Sequence, residues 1–458
     1  MARAKKEAAL TPEERLQAAL VPDWEWPYKL PGNWCWTRIT VITDILNGFA
    51  FKSQHYSSAG IRIIRITNVQ DGFIQDKKPV YYPLVSQKEI TPFMLKDGDF
   101  LMSLTGNVGR VAIIDASFLP AALNQRVACL RIKSEDSVRK EYIFYFCLQK
   151  QFVSDCIKSA KGSAQLNMST EWLKEYPIPL PPLAEQQRIV DRIKSLFAKL
   201  DEAKEKAQAV VDSFETRKAA ILHKAFTGEL TAKWREEHGV GMERWEKKSV
   251  GELCISLKYG TAKKSDASGN VVVLRMGNLQ QGEIDWSDLA YSNDPDDIEK
   301  YKLFPGDVLF NRTNSAALVG KTAIYRGEHP AIYAGYLIKL DYDHDKIIGD
   351  YLNYALNTLD AKKYCNSVKT DGVNQSNINA KKIGAYSFNV PSIPEQEKIV
   401  SAIQKLLSKE QQTKEAAEIV LDQIELMKKS ILARAFRGEL GTNDPSEESA
   451  VELLKQLI

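Results

Sequence analysis

The chain repeats itself, and this repeat limits its possible folds more than any other feature of the sequence. The segment LPPLAEQQRIV, which starts at Leu180, returns as VPSIPEQEKIV from Val390. KAFTGEL, from Lys224, returns as RAFRGEL from Arg434, so both motifs recur at the same spacing along the chain. A constant spacing between two different motifs indicates a duplicated unit rather than chance similarity. The chain is therefore expected to contain two equivalent halves.

The repeat extends upstream of both motifs. Arg65 and Asn68 correspond to Arg275 and Asn278, and KGSAQLN, from Lys161, corresponds to the later segment TDGVNQSN. The order along the chain is therefore globular unit, helix, globular unit, helix. The chain has 458 residues, 44% hydrophobic and 26% charged, which is enough apolar material for separate folded cores.

The segment after each EQ motif has the pattern of a long helix. Its apolar residues alternate steps of four and three, which is the 3.5-residue period of a coiled coil. Gly228 and Gly438 mark the two helix ends, so each helix should be about 40 residues long. The narrow stripe favours pairing of the helices over packing of each on its own domain. In the first copy the stripe is Ile189, Ile193, Leu196, Leu200, Ala203, Ala207, Val210 and Phe214; in the second it is Ile399, Ile403, Leu406, Glu410, Thr413, Ala417, Val420, Ile424, Met427 and Ile431, with Glu410 and Thr413 as interruptions.

The globular segments combine strand and helix patterns. β-rich runs such as IRIIRITNV and VVVLRMGNL are separated by turn signals, and helical stretches follow them. The predicted class is α+β, with two tandem α/β domains that are each followed by a long helix. Thr11 before Pro12, and Asp444 before Pro445, predict a short helix near each terminus. The predicted limits are an N-terminal extension at 1–29, a first domain at 30–178, a first helical spacer at 179–232, a second domain at 245–388, a second helical spacer at 389–440 and a C-terminal helical tail at 441–458.

These motifs resemble those of the specificity (S) subunits of type I restriction-modification systems. The resemblance rests on PPLAEQQRIV, AFTGEL, IPEQEKIV and AFRGEL in this order, and it covers most of the chain. It implies two target recognition domains, one for each half of a bipartite DNA site. It implies that the helices form an antiparallel coiled coil with pseudo-twofold symmetry, which acts as a spacer ruler. The implied partners are double-stranded DNA, two methylation (M) subunits and two restriction (R) subunits, with S-adenosylmethionine, ATP and Mg²⁺ bound on those partners.

The sequence contains no catalytic or metal-binding motif. An adenine methyltransferase needs an N/D-P-P-Y/F motif beside a glycine-rich loop, and the sequence has no such pair. The five histidines and six cysteines lack catalytic or metal-ligand spacing. We therefore expect a non-catalytic subunit with no metal of its own. The sequence also has no signal peptide and no apolar run of about 18 residues, which predicts a cytoplasmic protein that does not span a membrane.

Polar loops at equivalent places in both copies are the candidate DNA-binding elements. Base edges and phosphates are read by Arg, Lys, Asn, Gln, Ser and Thr side chains on loops that can enter a groove. For each loop, a solvated surface loop without a ligand is the alternative. Arg65 and Arg275 are either phosphate clamps or charges on a strand face. The candidates are Thr105, Asn107, Arg110, Lys161, Ser163, Gln165 and Asn167 in the first domain, and Arg312, Asn314, Lys321, Lys369, Asn374, Gln375 and Asn377 in the second.

A protein-binding scaffold is the alternative function. In that case the coiled coil would join proteins and the globular domains would bind peptides. The net charge of +3 does not separate the two functions, because local patches rather than totals attract nucleic acid.

Overall fold

The computed structural model describes residues 11–84, 87–163, 165–373 and 375–458. It divides into two compact units. Unit 1 consists of Met1–Lys206 and Val420–Ile458, and unit 2 consists of Ala207–Ile419. Both boundaries lie inside the long helices. Each unit therefore contains one globular domain, part of the first long helix and part of the second.

Unit 1 alternates short strands and helices before the first long helix. Its strands are β1 (Cys35–Arg38), β2 (Thr43–Asn47), β3 (Ile61–Ile64), β4 (Tyr81–Tyr82), β5 (Phe100–Ser103), β6 (Val111–Ile113), β7 (Ala121–Leu123), β8 (Val127–Ile132) and β9 (Pro177–Leu180). Its helices are α1 (Pro12–Ala19), α2 (Ile39–Ile42), α3 (Gln87–Ile90), α4 (Lys140–Cys147), α5 (Lys150–Ser159), α6 (Thr170–Glu175) and the start of α7 (Leu183–Asp212).

The strands of unit 1 form two sheets and a two-stranded ribbon. The larger sheet is antiparallel, in the order β2-β8-β5-β6. The smaller sheet has the order β4-β3-β7, and its strands β3 and β7 are parallel. β5 is buried at every position, as expected for a strand covered on both faces. The ribbon pairs β1 with β9, the strand that leads into α7.

Unit 2 contains the end of the first long helix, the second globular domain and most of the second long helix. Its helices are α8 (Phe214–Phe226), α9 (Ala232–Glu237), α10 (Val250–Leu253), α11 (Pro295–Tyr301), α12 (Gly349–Leu356), α13 (Leu359–Val368), α14 (Ala380–Gly384) and most of α15 (Ile393–Ala435). The end of α15 belongs to unit 1, and so does the last helix, α16 (Ala450–Leu457). Its strands are β10 (Glu246–Ser249), β11 (Cys254–Tyr259), β12 (Val271–Leu274), β13 (Leu279–Gln280), β14 (Glu283–Ile284), β15 (Tyr291–Ser292), β16 (Val308–Asn311), β17 (Thr313–Asn314), β18 (Thr322–Ile324), β19 (Ala331–Tyr333), β20 (Leu337–Tyr342), β21 (Thr370–Asp371), β22 (Ser376–Asn377) and β23 (Ser387–Val390).

The strand order of unit 2 repeats that of unit 1. Its larger sheet is β11-β20-β16-β18, and its smaller sheet is β15-β12-β19 with β12 parallel to β19. β10 pairs with β23, which leads into α15. Two further small sheets, β13-β14 and β17-β22-β21, lie at its loops. The predicted α+β class and the predicted duplication are therefore confirmed.

The first long helix is interrupted and the second is continuous. α7 has 30 residues and α8 has 13, with Ser213 between them, whereas α15 runs for 43 residues. The Ser213 hydroxyl donates to the Ala209 carbonyl at 2.6 Å, a local bond that competes with the helical pattern. Gly228 and Gly438 follow the two helix ends with φ of 80° and 73°, a conformation that favours glycine. The predicted helix ends are confirmed.

The long helices pair in antiparallel fashion inside each unit. In unit 1, Lys204 and Glu425 form an ion pair at 2.6 Å, and the Lys428 ammonium lies 5.1 Å from the centre of an aromatic ring earlier in α7. In unit 2, Arg217 and Glu410 form an ion pair at 2.5 Å. In each unit, residues that come later in the first long helix contact residues that come earlier in the second, which is the arrangement of an antiparallel pair. Glu410, predicted as an interruption, thus contributes an ion pair to the seam.

The predicted stripe is correct in the first helix and partly wrong in the second. All eight predicted positions of the first copy are buried or half-buried. In the second copy, the predicted positions Thr413, Val420 and Met427 are exposed, and the seam contains the residues that follow them. Two of these are lysines whose ammonium groups lie 5.1 Å from ring centres, so their stems cover aromatic surface as apolar residues would. The residues found in the seam are Lys414, Leu421 and Lys428.

The glutamine of each EQ motif fixes the start of a long helix. Gln186 is fully buried, accepts a hydrogen bond from the Arg139 backbone N–H at 2.8 Å, and donates to the Ser137 and Pro181 carbonyls at 3.1 Å. Gln396 is also fully buried and makes the same three bonds at 2.9–3.0 Å. Because buried polar groups need hydrogen-bond partners, the glutamine side chain connects the start of each long helix to the loop that precedes a helix of the globular domain. The partners of Gln396 are Ile348, Lys346 and Pro391.

The glutamate of the second EQ motif belongs to a buried ionic network. Glu395, 3% exposed, accepts from Arg235 Nη1 and Thr231 Oγ1, both at 2.7 Å. Its other carboxylate oxygen accepts from Trp245 Nε1 at 3.0 Å. Arg235 also donates to the Gly228 carbonyl at 2.7 Å. The network joins the start of α15 to α9 and to the segment before β10.

The chain termini complete unit 1. Thr11 caps α1 in a reciprocal capping box with Glu14, as predicted. The prediction that the tail helix starts at Asp444 is wrong, because α16 begins after Ser449. The Asp444 carboxylate instead accepts from the Ser446 backbone N–H at 2.9 Å and closes a turn. The tail also supplies buried core residues of unit 1, including Phe436 and Leu454.

None of the described helices is long and apolar enough to cross a membrane.

Candidate nucleic-acid interface

In the first domain, residues 161–163 and 165–167 are the described part of a polar loop that is fastened next to the end of β5. Lys161 and Asn167 exchange backbone hydrogen bonds at 3.0 and 2.9 Å, which closes the loop. The Asn167 carboxamide oxygen accepts from the Thr105 hydroxyl at 2.9 Å. Lys161, Ser163, Gln165 and Asn167 are exposed, whereas Thr105 is buried. The structure therefore brings five predicted residues together, with Thr105 as the anchor and the others on the surface.

The second domain has the same anchored loop. Asn377, on β22, donates its side-chain N–H to the Thr313 hydroxyl at 2.8 Å, and β22 lies between β17 and β21. The Gly372 backbone N–H donates to the Gln375 carbonyl at 2.8 Å, which closes the loop. Gln375 is exposed. The predicted residue Asn374 lies outside the described residues. A threonine–asparagine hydrogen bond thus holds a polar loop in both domains.

Two predicted cations contact a different loop in each domain. Arg110 donates to Gln70 at 2.9 Å, and Lys321 donates to Gln280 at 2.7 Å. Burial, together with the nearby charge of Lys362, lowers the pKa of Lys321. The structure does not join Arg110 or Lys321 to the anchored loops. Each lies at the equivalent position of its own domain, where a glutamine side chain accepts a hydrogen bond from it.

Of three other predicted residues, one lies in the first domain and two lie in the second. Asn107 is exposed, and its backbone carbonyl accepts from the Ser103 hydroxyl. Asn314 is half-buried on β17. The Lys369 ammonium donates to the Ala316 carbonyl at 3.0 Å, and its side chain is only 16% exposed. One donor of the Lys369 ammonium is therefore occupied in holding the neighbouring loop, which contains Ala316.

Arg65 and Arg275 lie at equivalent turns rather than within strands. The backbone N–H of each donates to an asparagine side chain three residues later, Asn68 or Asn278, at 2.8 Å. Both asparagines are 3% exposed. The turns directly follow β3 and β12. The shared R-x-x-N pattern therefore encodes a turn that places an arginine at the end of each strand.

A basic cavity beside the anchored loop of the second domain was missed by sequence reasoning. It has a volume of about 500 Å³, and its lining includes Lys263, Lys264, Arg275, Arg312 and Tyr336. Of these, Arg312 was a predicted DNA-binding residue and Arg275 was predicted as either a phosphate clamp or a charge on a strand face, whereas Lys263, Lys264 and Tyr336 were not predicted. The lysine pair shortly after Gly260 was the available signal, but the sequence does not reveal that the pair shares a cavity with residues from three other loops.

Among the described side chains, no group of three or more His, Cys, Asp or Glu residues is placed to hold a metal ion.

Comparisons with known proteins relate most of the chain to one family. The model of the type I restriction modification DNA specificity domain matches twice, at 31–211 and 242–420. The chain is 26% identical over 421 residues to the type I restriction enzyme StySPI specificity subunit of Salmonella potsdam, covering 90% of each chain. It is 25% identical over 425 residues to the EcoKI specificity subunit of Escherichia coli (strain K12), again covering 90% of each.

Solved structures show the same fold. A chain from a type I R-M system, studied for its complex assembly and conformational transition, has a TM-score of 0.68 and 19% identity, covering 90% of this chain and 100% of that one. The HsdS subunit from Thermoanaerobacter tengcongensis has a TM-score of 0.59 and 19% identity, covering 91% and 100%.

Proposed function

Because the chain belongs to the family of type I restriction-modification DNA specificity domains, we propose that it is the specificity subunit of such a complex. Each of its two domains reads one half of a bipartite DNA site, and the paired helices set the spacing between the halves. The observation that carries this proposal is the exposed polar loop that a threonine–asparagine hydrogen bond holds at the same place in both domains.

The anchored loops suit groove reading because hydrogen bonds hold the two ends of each loop while polar side chains of the described residues are exposed. Ser163 and Gln165 are exposed in the first domain, and Gln375 is exposed in the second. Amide side chains can donate and accept at once, which matches the paired donors and acceptors on base edges. A loop whose two ends are already held in place loses less conformational entropy on binding than a loop with free ends. We therefore assign base reading first to these tips.

We infer that the chemistry is supplied by partner subunits. Two methylation subunits would bring S-adenosylmethionine, and two restriction subunits would bring ATP and Mg²⁺. This inference is supported by the family membership and by a sequence that lacks methyltransferase and nuclease motifs. The same inference places the protein in the cytoplasm, with its DNA. The family match in both domains favours DNA reading over a scaffold that binds only proteins.

Exchanging residues 30–178 for the same region of another family member is expected to change one half of the methylated sequence. The other half and the gap between the halves should stay the same, because the second domain has its own sheets and its own anchored loop. The measurement is methylated-adenine sequencing of DNA from cells that carry the chimera with its methylation subunit. A change in both halves would contradict independent reading by the two domains.

Gln165→Ala and Gln375→Ala are each expected to weaken binding of the target by about 1–3 kcal/mol and to relax specificity in one half-site. Stability should hardly change, since both residues are exposed. Binding would be measured on duplexes with single base changes in each half-site. Gln187→Ala, an exposed glutamine on α7, is the matched control. Equal affinity of both variants and the control for every duplex would exclude base contacts by these two side chains.

A further inference from the structure

The basic cavity of the second domain gathers positive charge from separate parts of the fold. Lys263 and Lys264 follow β11, Arg275 begins the turn after β12, and Arg312 lies between β16 and β17. No acidic residue is among those that line the cavity. Like charges held in one concave site repel one another, and an anion relieves this repulsion.

Arg312 is held in place by its neighbours. Its guanidinium group lies 4.7 Å from the ring centre of Tyr259, a cation–π contact. It also donates to the Gly335 carbonyl at 3.2 Å and to the Asn377 carboxamide oxygen at 3.4 Å. Asn377 is the residue that anchors the polar loop through Thr313. Arg312 therefore joins the cavity to the anchored loop.

The cations of the cavity are only partly neutralised. Lys263 forms an ion pair with Asp294 at 2.6 Å, and Arg275 forms one with Asp288 at 3.0 Å. Within the described part of the chain, neither Lys264 nor Arg312 has an ion pair with a carboxylate. In addition, the buried Nε atoms of Arg275 and Arg312 have no hydrogen-bond acceptor among the described residues. A buried donor without an acceptor costs free energy, so the protein alone does not satisfy these two guanidinium groups fully.

We propose that this cavity binds a backbone phosphate of the DNA, with Arg312, Arg275 and Lys264 as its donors. The proposal rests on the function proposed above and adds a defined contact to it. Guanidinium groups present several donors to phosphate oxygens, and a lysine ammonium adds a mobile point charge. Phosphate contacts fix the register of a protein on the duplex without reading its sequence. The cavity would thus position the polar loop that Arg312 contacts.

The first domain lacks the central arginine of this cavity. Its Leu104 backbone N–H donates to the Arg126 carbonyl at 2.9 Å, just as the Arg312 backbone N–H donates to the Tyr336 carbonyl at 3.0 Å. The buried Leu104 therefore occupies the position of Arg312. The contact proposed for Arg312 therefore has no arginine equivalent at this position of the first domain.

The test is a double-mutant cycle on the complex of the full chain with its methylation subunit. The probe is a duplex that carries the mapped target, with single phosphates replaced in turn by uncharged methylphosphonates. In the unmodified protein, one replacement in the second half-site is expected to weaken binding about tenfold. In Arg312→Gln and Lys264→Gln, the same replacement should have little further effect. Each variant should also lower the slope of log affinity against log salt by about 0.9.

Two variants separate this role from folding. Lys264 is exposed, so Lys264→Gln should leave stability unchanged. Lys233→Gln removes a charge from a side chain on α9 that is 87% exposed, and it should not alter the salt slope. Additive effects at every phosphate, or an altered base preference in Lys264→Gln, would overturn the proposal. An unmodified complex that fails to prefer its target duplex would refute the proposed function itself, and the phosphate contact with it.

Discussion

Replacing Glu395 with alanine is expected to destabilise unit 2 by about 3–5 kcal/mol, since it leaves a buried cation without its partner. The Arg235 guanidinium, 8% exposed, would lose its 2.7 Å bond to the carboxylate, and the indole N–H of Trp245 would lose its acceptor. For a unit of this size, such a loss corresponds to a fall in melting temperature on the order of 10 °C.

Calorimetry of the full chain would measure this effect as a shift of one unfolding transition. Glu397→Ala is the matched control, because Glu397 lies two residues further along the same helix and is exposed. It should change the melting temperature very little. A shift of equal size in both variants would show that the network contributes no more than a surface carboxylate.

Lengthening both long helices by four residues is expected to change the gap between the half-sites and not the bases that are read. The insertions would follow Ala207 and Ile419, where the chain passes between units 1 and 2. Four residues add about one turn, on the order of 6 Å, while DNA rises about 3.4 Å per base pair. The preferred gap should therefore increase by about one or two base pairs. Methylation at the original gap should fall about tenfold, since each added base pair also rotates one half-site by about 34°.

A plasmid library with fixed half-sites and randomised gaps would show the new optimum after methylation. Inserting both helical segments keeps the antiparallel partners in step, and coiled coils absorb a four-residue insertion by local unwinding. The control inserts four residues after Gly239, in the exposed segment after α9, which lengthens the chain without lengthening a paired helix. A folded, active double-insertion variant with the original gap optimum would refute the ruler.

The duplication, the helix ends and the polar loops at equivalent places were predictable because they depend on local sequence. The repeated motifs recur at one spacing, and Gly228 has the left-handed conformation that its position suggested. The role of the EQ motif was not predictable from the repeat alone. The residues that Gln186 and Gln396 hold are 47 and 48 positions earlier in the chain, and nothing in the local pattern marks them.

The binding residues were harder to predict than the fold, because a polar residue type does not reveal what its side chain contacts. Lys369 was chosen as a DNA-binding cation, yet its ammonium donates to a backbone carbonyl. Lys263 and Lys264 were missed, because the residues that share their cavity come from distant loops. The seam of the second helix departed from prediction for a related reason. A lysine stem can cover an aromatic ring, as Lys414 does over Phe214, so a search for apolar residues alone overlooks it.

The return of the last part of the chain to unit 1 determines the order in which the protein can mature on the ribosome. Unit 2 is continuous in sequence and is fully synthesised once Ile419 has been added. The core of unit 1 includes Phe436 and Leu454, which are translated after Ile419. Synthesis therefore supplies all of unit 2 before it supplies the whole core of unit 1, although the first domain begins earlier in the chain.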